Sequence, residues 1–258
     1  MDALITAGGI PQPREPLYEY TRGAPKAMLE IVGKPMIQWV LDAVEGASTI
    51  ERAVVIGLSP EERLSSTKVA AYLPNAGGMV ANIRAGVAKL VELNPNVTHV
   101  LLISSDIPTI TAEMIDWVVR TAMETDHEAY YNVVTRQTME ARFPGSRRSY
   151  TRLRDVEVCG GDMNMIKVSL VTQQNELWDK LVAARKNVFK QAALIGYDTL
   201  FLLLFRLVSL DGAVKRASQR LNVRGRAIVC PYAEIGMDVD KPHQLELVRE
   251  DLKKRLSA

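Results

Sequence analysis

Cysteine is scarce in this 258-residue chain: there are two, Cys159 and Cys230. They stand far apart and fit neither a zinc-binding nor a redox spacing, which sets aside a structural zinc site and a dithiol centre. Reduced thiols and a cytoplasmic location are the expectation. A dominant charge is also missing. The 32 Lys and Arg nearly balance 30 Asp and Glu, for a net charge of +2. With the signs well mixed, no polycationic face calls for nucleic acid. Long hydrophobic runs are lacking too. The most apolar stretch, Thr199 to Phe205, is bounded by Asp198 and Arg206. That is far short of the roughly 20 residues a membrane-spanning helix needs. The run is read as core, with a homodimer or membrane-surface contact as the alternative. No repeat or low-complexity segment is visible, and the opening Asp2 and its strand do not resemble a signal peptide. What is present is 47% apolar residues, enough for a sizeable core, in a length that suits one large α/β domain.

The apolar residues fall into alternating patterns. Asp2 to Thr6 (DALIT) reads as a buried strand, followed at once by Ala7-Gly8-Gly9. A loop rich in Pro, Arg and Glu, Ile10 to Pro25, closes on Lys26 in PKAMLEIVGKP. Pro35 suits a first helical position, and Met36, Ile37, Val40, Leu41 and Val44 recur at helical spacing. Arg52 to Leu58 is a second buried strand, and Ser59 with Glu62 marks a helix opening in SPEERL. A loop, LPNAGG, leads into the helix MVANIRAGVAKLVEL. Thr98 to Ser104 is a third buried strand, ending at Ser105-Asp106-Ile107-Pro108. Thr111 caps the next helix, and Glu128 to Thr135 is a fourth strand. Strands apolar on both faces, alternating with helices, imply a parallel, three-layer α/β sheet.

The regularity breaks at Arg136, where a basic, glycine-containing, weakly stranded segment begins. A helix-rich stretch from Trp178 to Leu221 follows, then a strand at Arg226 to Val229, the run GMDVDKP and a charged last helix. The expected organisation is one domain, 1–258. Residues 1–135 form a nucleotide-binding half and 136–258 an acceptor-binding half, with a helical insertion at 172–222.

Strand, glycine loop and lysine together make a seat for phosphates. Gly8 and Gly9 have no Cβ, so their amides can approach an anion, and Lys26 adds a mobile positive charge. Arg14 and Arg22 lie in the same loop and either could reach a triphosphate; Arg22 is carried forward as the candidate. Asp106 ends an apolar strand, the edge of an open α/β sheet where ligands bind. Asp238 and Asp240 follow a second short strand, and two carboxylates near a phosphate loop suit a divalent cation. Each of these aspartates could instead cap a helix. Gly78 and Asn82 open a helix after a loop, and Asn82 offers a donor and an acceptor to a nucleobase edge. Arg147, Arg148 and Lys167 could receive an anionic acceptor or be solvated surface charge.

The ordered set AGG, PKAML, GKPMI, GGMVANI, SSDIP, GGDMN and MDVDKP resembles the MobA-like NTP transferases. These are nucleotidyltransferases of the glycosyltransferase-A-like superfamily. The resemblance spans nearly the whole chain. It implies a Rossmann-like fold with a mixed, mainly parallel sheet, and an Mg²⁺- or Mn²⁺-dependent nucleotidyl transfer. In that transfer an NMP group passes from an NTP to a phosphorylated small-molecule acceptor, and pyrophosphate leaves. By position, Ala7, Gly8 and Gly9 would contact base and phosphates, and Lys26 would bind phosphate. Gly78 and Asn82 would hold base and ribose. Asp106 and Asp238, with Asp240 as the alternate, would hold metal, and Gly161 and Asn164 would lie near the acceptor. Two departures stand out: the unusually long Ile10 to Pro25 spacer, and Asp162, an extra carboxylate in GGDMN without an assigned role.

Two other functions fit the same fold. A glycosyltransferase using a nucleotide-sugar would carry a DxD motif after a central strand, where this chain has only SSDIP. A non-catalytic nucleotide-binding protein would explain the altered loop.

Overall fold

The computed structural model describes residues 1–59, 61, 64–172 and 206–257. Strand β1 (Asp2–Thr6) runs through a nine-stranded sheet and is buried from Asp2 to Ile5. After a small hairpin of β2 (Glu30–Ile31) and β3 (Lys34–Pro35), the chain returns to the sheet as β4 (Arg52–Ile56). β5 (Val69–Leu73) lies beyond β4, and β6 (His99–Ser104) lies on the other side of β1. The β1–β4, β1–β6 and β4–β5 pairings are parallel, with Leu4 level with both Val54 and Leu102.

The period of two along the strands builds the layers. Ala3, Ile5, Ala53, Val55, Leu101 and Ile103 share one core cluster with residues of α2 (Met36–Gly46) and α4 (Ala112–Met123). Leu4, Val54, Ile56 and Val100 share another with Val87 and Leu90 of α3 (Met79–Leu93), and with Val168 and Val171 of α6 (Val168–Thr172). Gly86 lets α3 approach β1 closely, since a Cβ there would lie 2.3 Å from Leu4 Cδ1. The expected cap at Thr111 is present, its side chain accepting from Met114 N–H.

Strand β7 (Ala129–Thr135) leads directly into a helix, α5 (Arg136–Arg142), capped by Thr135. The weakly stranded segment then resolves into β8 (Thr151–Arg152), β9 (Glu157–Gly160) and β10 (Met163–Lys167). β10 runs antiparallel between β6 and β7, making the sheet mixed and mainly parallel. Because β10 is antiparallel, it begins at the edge where β1 and β6 end. β9 and β10 pair along the same edge of β7 but out of register. Between the pairs Val133–Gly160 and Tyr130–Met165, the outer chain holds two extra residues. This wide bulge contains Gly161 and Asp162.

α7 (Leu210–Leu221) and β11 (Gly225–Val229), parallel to β7, precede the last helix, α8 (Pro242–Ser257). The expected insertion at 172–222 is therefore described only at its ends; residues 173–205, with the apolar run, lie outside the described residues. So do residues 60, 62 and 63 of the SPEERL helix start. Among the described residues, no helix is long and apolar enough to cross a membrane.

Candidate active site

The carboxyl ends of β1, β4 and β6 meet at one edge, and the glycine loop crosses it. Ala7 N–H still donates to Ile56 O, so the turn begins only at Gly8. Gly57 lies directly beneath. It adopts φ +105, and a Cβ there would sit 2.3 Å from Gly8 Cα and N, so the loop can rest on β4 only over a glycine. The loop closes where Lys26 N–H donates to Gly9 O at 2.8 Å. Between this loop and the start of α3 lies a cavity of about 410 Å³. Gly8, Gly9, Lys26, Gly78, Asn82 and Asp106 line it, so six residues chosen from separate motifs come together. Ala7 is buried behind them.

Asn82 is buried rather than a surface helical residue. Its Oδ1 accepts from Ala76 N–H at 2.7 Å, which fixes the amide orientation and turns its NH₂ group toward Gly8. Asn75, in the loop after β5, was not anticipated. Its Nδ2 donates to Gly8 O at 2.9 Å, its Oδ1 accepts from Gly77 N–H at 3.0 Å, and it lines the cavity. The signal available was its place in PNAGG, an Asx-type turn before a helix start.

Lys26 Nζ donates to Asp106 Oδ2 and to Asp240 Oδ1, each at 2.6 Å. Burial opposes its charge, but the Asp106 and Asp240 carboxylates outweigh that and hold the ammonium above the usual lysine range. Asp240 is thus the aspartate that joins Asp106. Asp238, by contrast, is buried and paired with Arg148. The same Arg148 is largely buried, so it is not solvated surface charge. The C-terminal segment is pinned to the site by Val239 N–H donating to Asp106 O at 2.9 Å. Asp106 Oδ1 is buried without a hydrogen-bond partner.

Asp162 enters from the bulge. Its N–H donates to Ile235 O and its carbonyl accepts from Ser104 N–H, which holds its backbone against the end of β6. Burial pushes its carboxyl up to about 7, with Asp106 and then Asp240 adding to the rise while Arg148 and Lys26 oppose it. Gly161 N–H donates to Asn132 O, and Asn164 bridges Asn132 N–H and Gly161 O. Gly161 and Asn164 therefore stabilise the bulge that presents Asp162. Arg22 is exposed at the end of the short helix α1 (Tyr18–Thr21), in the left-handed region, and does not line the cavity. Lys167 pairs with His99 at the opposite edge of the sheet and forms an ion pair with Asp126, away from any acceptor near Asp106.

Known proteins are similar to this chain in sequence and in fold. A family model described as the MobA-like NTP transferase domain matches residues 3–199. A solved structure, a hypothetical transferase from Thermus thermophilus, is 32% identical with a TM-score of 0.81 and covers 95% of this chain and 98% of that one. The 3-deoxy-manno-octulosonate cytidylyltransferase of Geotalea uraniireducens is 28% identical over 249 residues, 92% of this chain and 96% of that protein. The bifunctional protein GlmU of Thermoanaerobacter pseudethanolicus is 33% identical over 91 residues, and the match spans only 20% of its length. With the model matching about three quarters of its length, the chain belongs to the MobA-like NTP transferase family and is a nucleotidyltransferase-type enzyme.

Proposed function

We propose that this protein transfers an NMP group from an NTP to a phosphorylated small-molecule acceptor, a sugar phosphate or cofactor precursor. An acceptor oxygen forms the new bond to the α-phosphorus, and the bond to the departing pyrophosphate oxygen breaks. One observation carries the reading: the glycine loop, the start of α3 and Asp106 converge on one cavity with Lys26 at its wall. Such a transfer needs in-line positioning and charge neutralisation more than covalent help. The NH₂ groups of Asn75 and Asn82 offer donors to the nucleotide, and Lys26 stabilises the leaving phosphates.

A divalent cation fits the residues present. Asp106 has a carboxylate oxygen buried without a partner, and Asp240 shares the same ammonium. Among the described residues no group of three or more His, Cys, Asp or Glu could hold a metal, so phosphate and water would complete its shell. Asp106 and Asp240 would hold Mg²⁺ or Mn²⁺, which would neutralise phosphate charge. Asp238 is left to orient Arg148 toward the acceptor side.

The test is incubation with each of CTP, GTP, UTP and ATP, Mg²⁺ and a panel of sugar phosphates, with pyrophosphate as readout. Pyrophosphate release that depends on one acceptor is expected. No release across the panel, with no NTP binding by calorimetry, would sink the reading.

A further inference from the structure

On the other side of Lys26 lies a second cavity of about 470 Å³, beneath the Ile10–Leu17 part of the long loop. It shares Gly9 and Lys26 with the first, so the two adjoin at the lysine. Its remaining charged lining is Glu15, Asp240 and Lys241. Glu15 is engaged with the loop, accepting from Gln12 N–H at 2.9 Å, and Asp240 is engaged with Lys26. Lys241 is exposed, and no ion pair joins it to another described residue. Its backbone is fixed, because its carbonyl accepts from Gln244 N–H and Leu245 N–H at the start of α8. Arg14 and Arg22 are exposed and line neither cavity.

We propose that Lys241 is a polyphosphate-binding residue of this site. With Lys26 it takes the phosphates beyond the α-phosphate, the task the loop arginines were expected to perform. This rests on the NTP-transfer reading for the identity of the ligand. The long loop roofs the second cavity while the charge comes from the far end of the chain. A lysine there supplies a compact cation that needs no fixed fork geometry, which suits a chain of phosphates that must leave after reaction. The chemistry recognised is a linear polyphosphate, whether on a nucleoside or free.

The experiment is calorimetry on wild type, Lys241→Ala, Lys241→Gln and an Arg14→Ala/Arg22→Ala double variant, with circular dichroism to confirm folding. The ligands are inorganic tripolyphosphate, the NTP that gives the largest thermal shift, and the matching NMP. Both Lys241 variants should bind tripolyphosphate and NTP about tenfold more weakly, with NMP affinity unchanged, a loss of about 1.4 kcal/mol. The proposal is overturned if the Lys241 variants bind like wild type, or if they lose NMP and NTP equally. A loss confined to the arginine double variant also overturns it. If wild type binds tripolyphosphate in a Lys241-dependent way but no NTP, the nucleotidyl-transfer reading fails and Lys241 stands. If it binds neither, both fall.

Discussion

Lys26 occupies, in this structure, the place that a cation would take between Asp106 and Asp240. An ammonium and a divalent cation side by side between these two carboxylates would repel one another. With a cation held by Asp106 and Asp240, Lys26 would be released to the phosphates. Lys26→Met should then bind Mn²⁺ in the absence of nucleotide about tenfold more tightly than wild type. The free-ion electron paramagnetic resonance signal measures this, and equal or weaker binding would count against the exchange. The two asparagines show the same economy of roles. Both have their amides oriented by backbone partners, so each presents NH hydrogens to the cavity.

At the scale of elements, the bulge between β9 and β10 and the clamp between α2 and α4 do different work. The bulge interrupts the ladder, and Asn132 and Asn164 repair it with side-chain hydrogen bonds, so Asp162 can turn toward the site. The clamp is Asp116 on α4. It accepts from the backbone N–H and hydroxyl of both Ser48 and Thr49, just beyond the end of α2. Burial alone would raise its carboxyl, but those four bonds outweigh it and bring it down to about 2. A depressed carboxyl stabilises the fold above its unfolded value near 3.8 and loses that contribution as pH falls toward 2. Asp116→Ala should cost about 2 kcal/mol at pH 7 in urea unfolding. The gap from wild type should narrow below pH 4; a gap constant down to pH 3 would refute the assignment.

Across the whole molecule, the site is assembled from the first strand, the loop after β5, the end of β6, the bulge and the segment before α8. Crowding four aspartates with Lys26 and Arg148 has a linkage cost at Asp162. Its carboxyl is raised to about 7 against an ordinary value of 3.8, so between these pH values the folded chain binds more protons than the unfolded one. Stability therefore falls as pH rises through that window, by up to about 1.4 kcal/mol per unit, and levels off above 7. Asp162→Asn should remove this slope. Melting temperatures of wild type and variant, compared from pH 5 to 8, should diverge with the variant increasingly the more stable. Parallel curves would show that Asp162 is not buried among those charges.

Much of this was legible along the chain. β1, β4 and β6 are apolar runs covered on both faces, so composition alone marks them, and β7 is mostly buried but leaves Tyr131 exposed. Gly8, Gly9, Lys26, Gly78, Asn82 and Asp106 sit at element ends, where periodicity stops and ligands bind. β5 was missed because VAAYL is a partly exposed edge strand with two alanines, and β8 to β10 were legible only as a weakly stranded segment because they are short and mix apolar with polar residues. Lys241 was missed because a lysine before a helix looks like any solvated one. The choice between Asp238 and Asp240 was not legible either: both carboxylates sit in one short run. Which of them meets Lys26 depends on how Val239 docks against Asp106, more than a hundred residues away in sequence. The layers, the glycine loop and the family could be read along the chain, because each rests on residues that are neighbours in sequence. Which charges face one another emerged only on folding, because burial and pairing depend on segments that meet solely through packing.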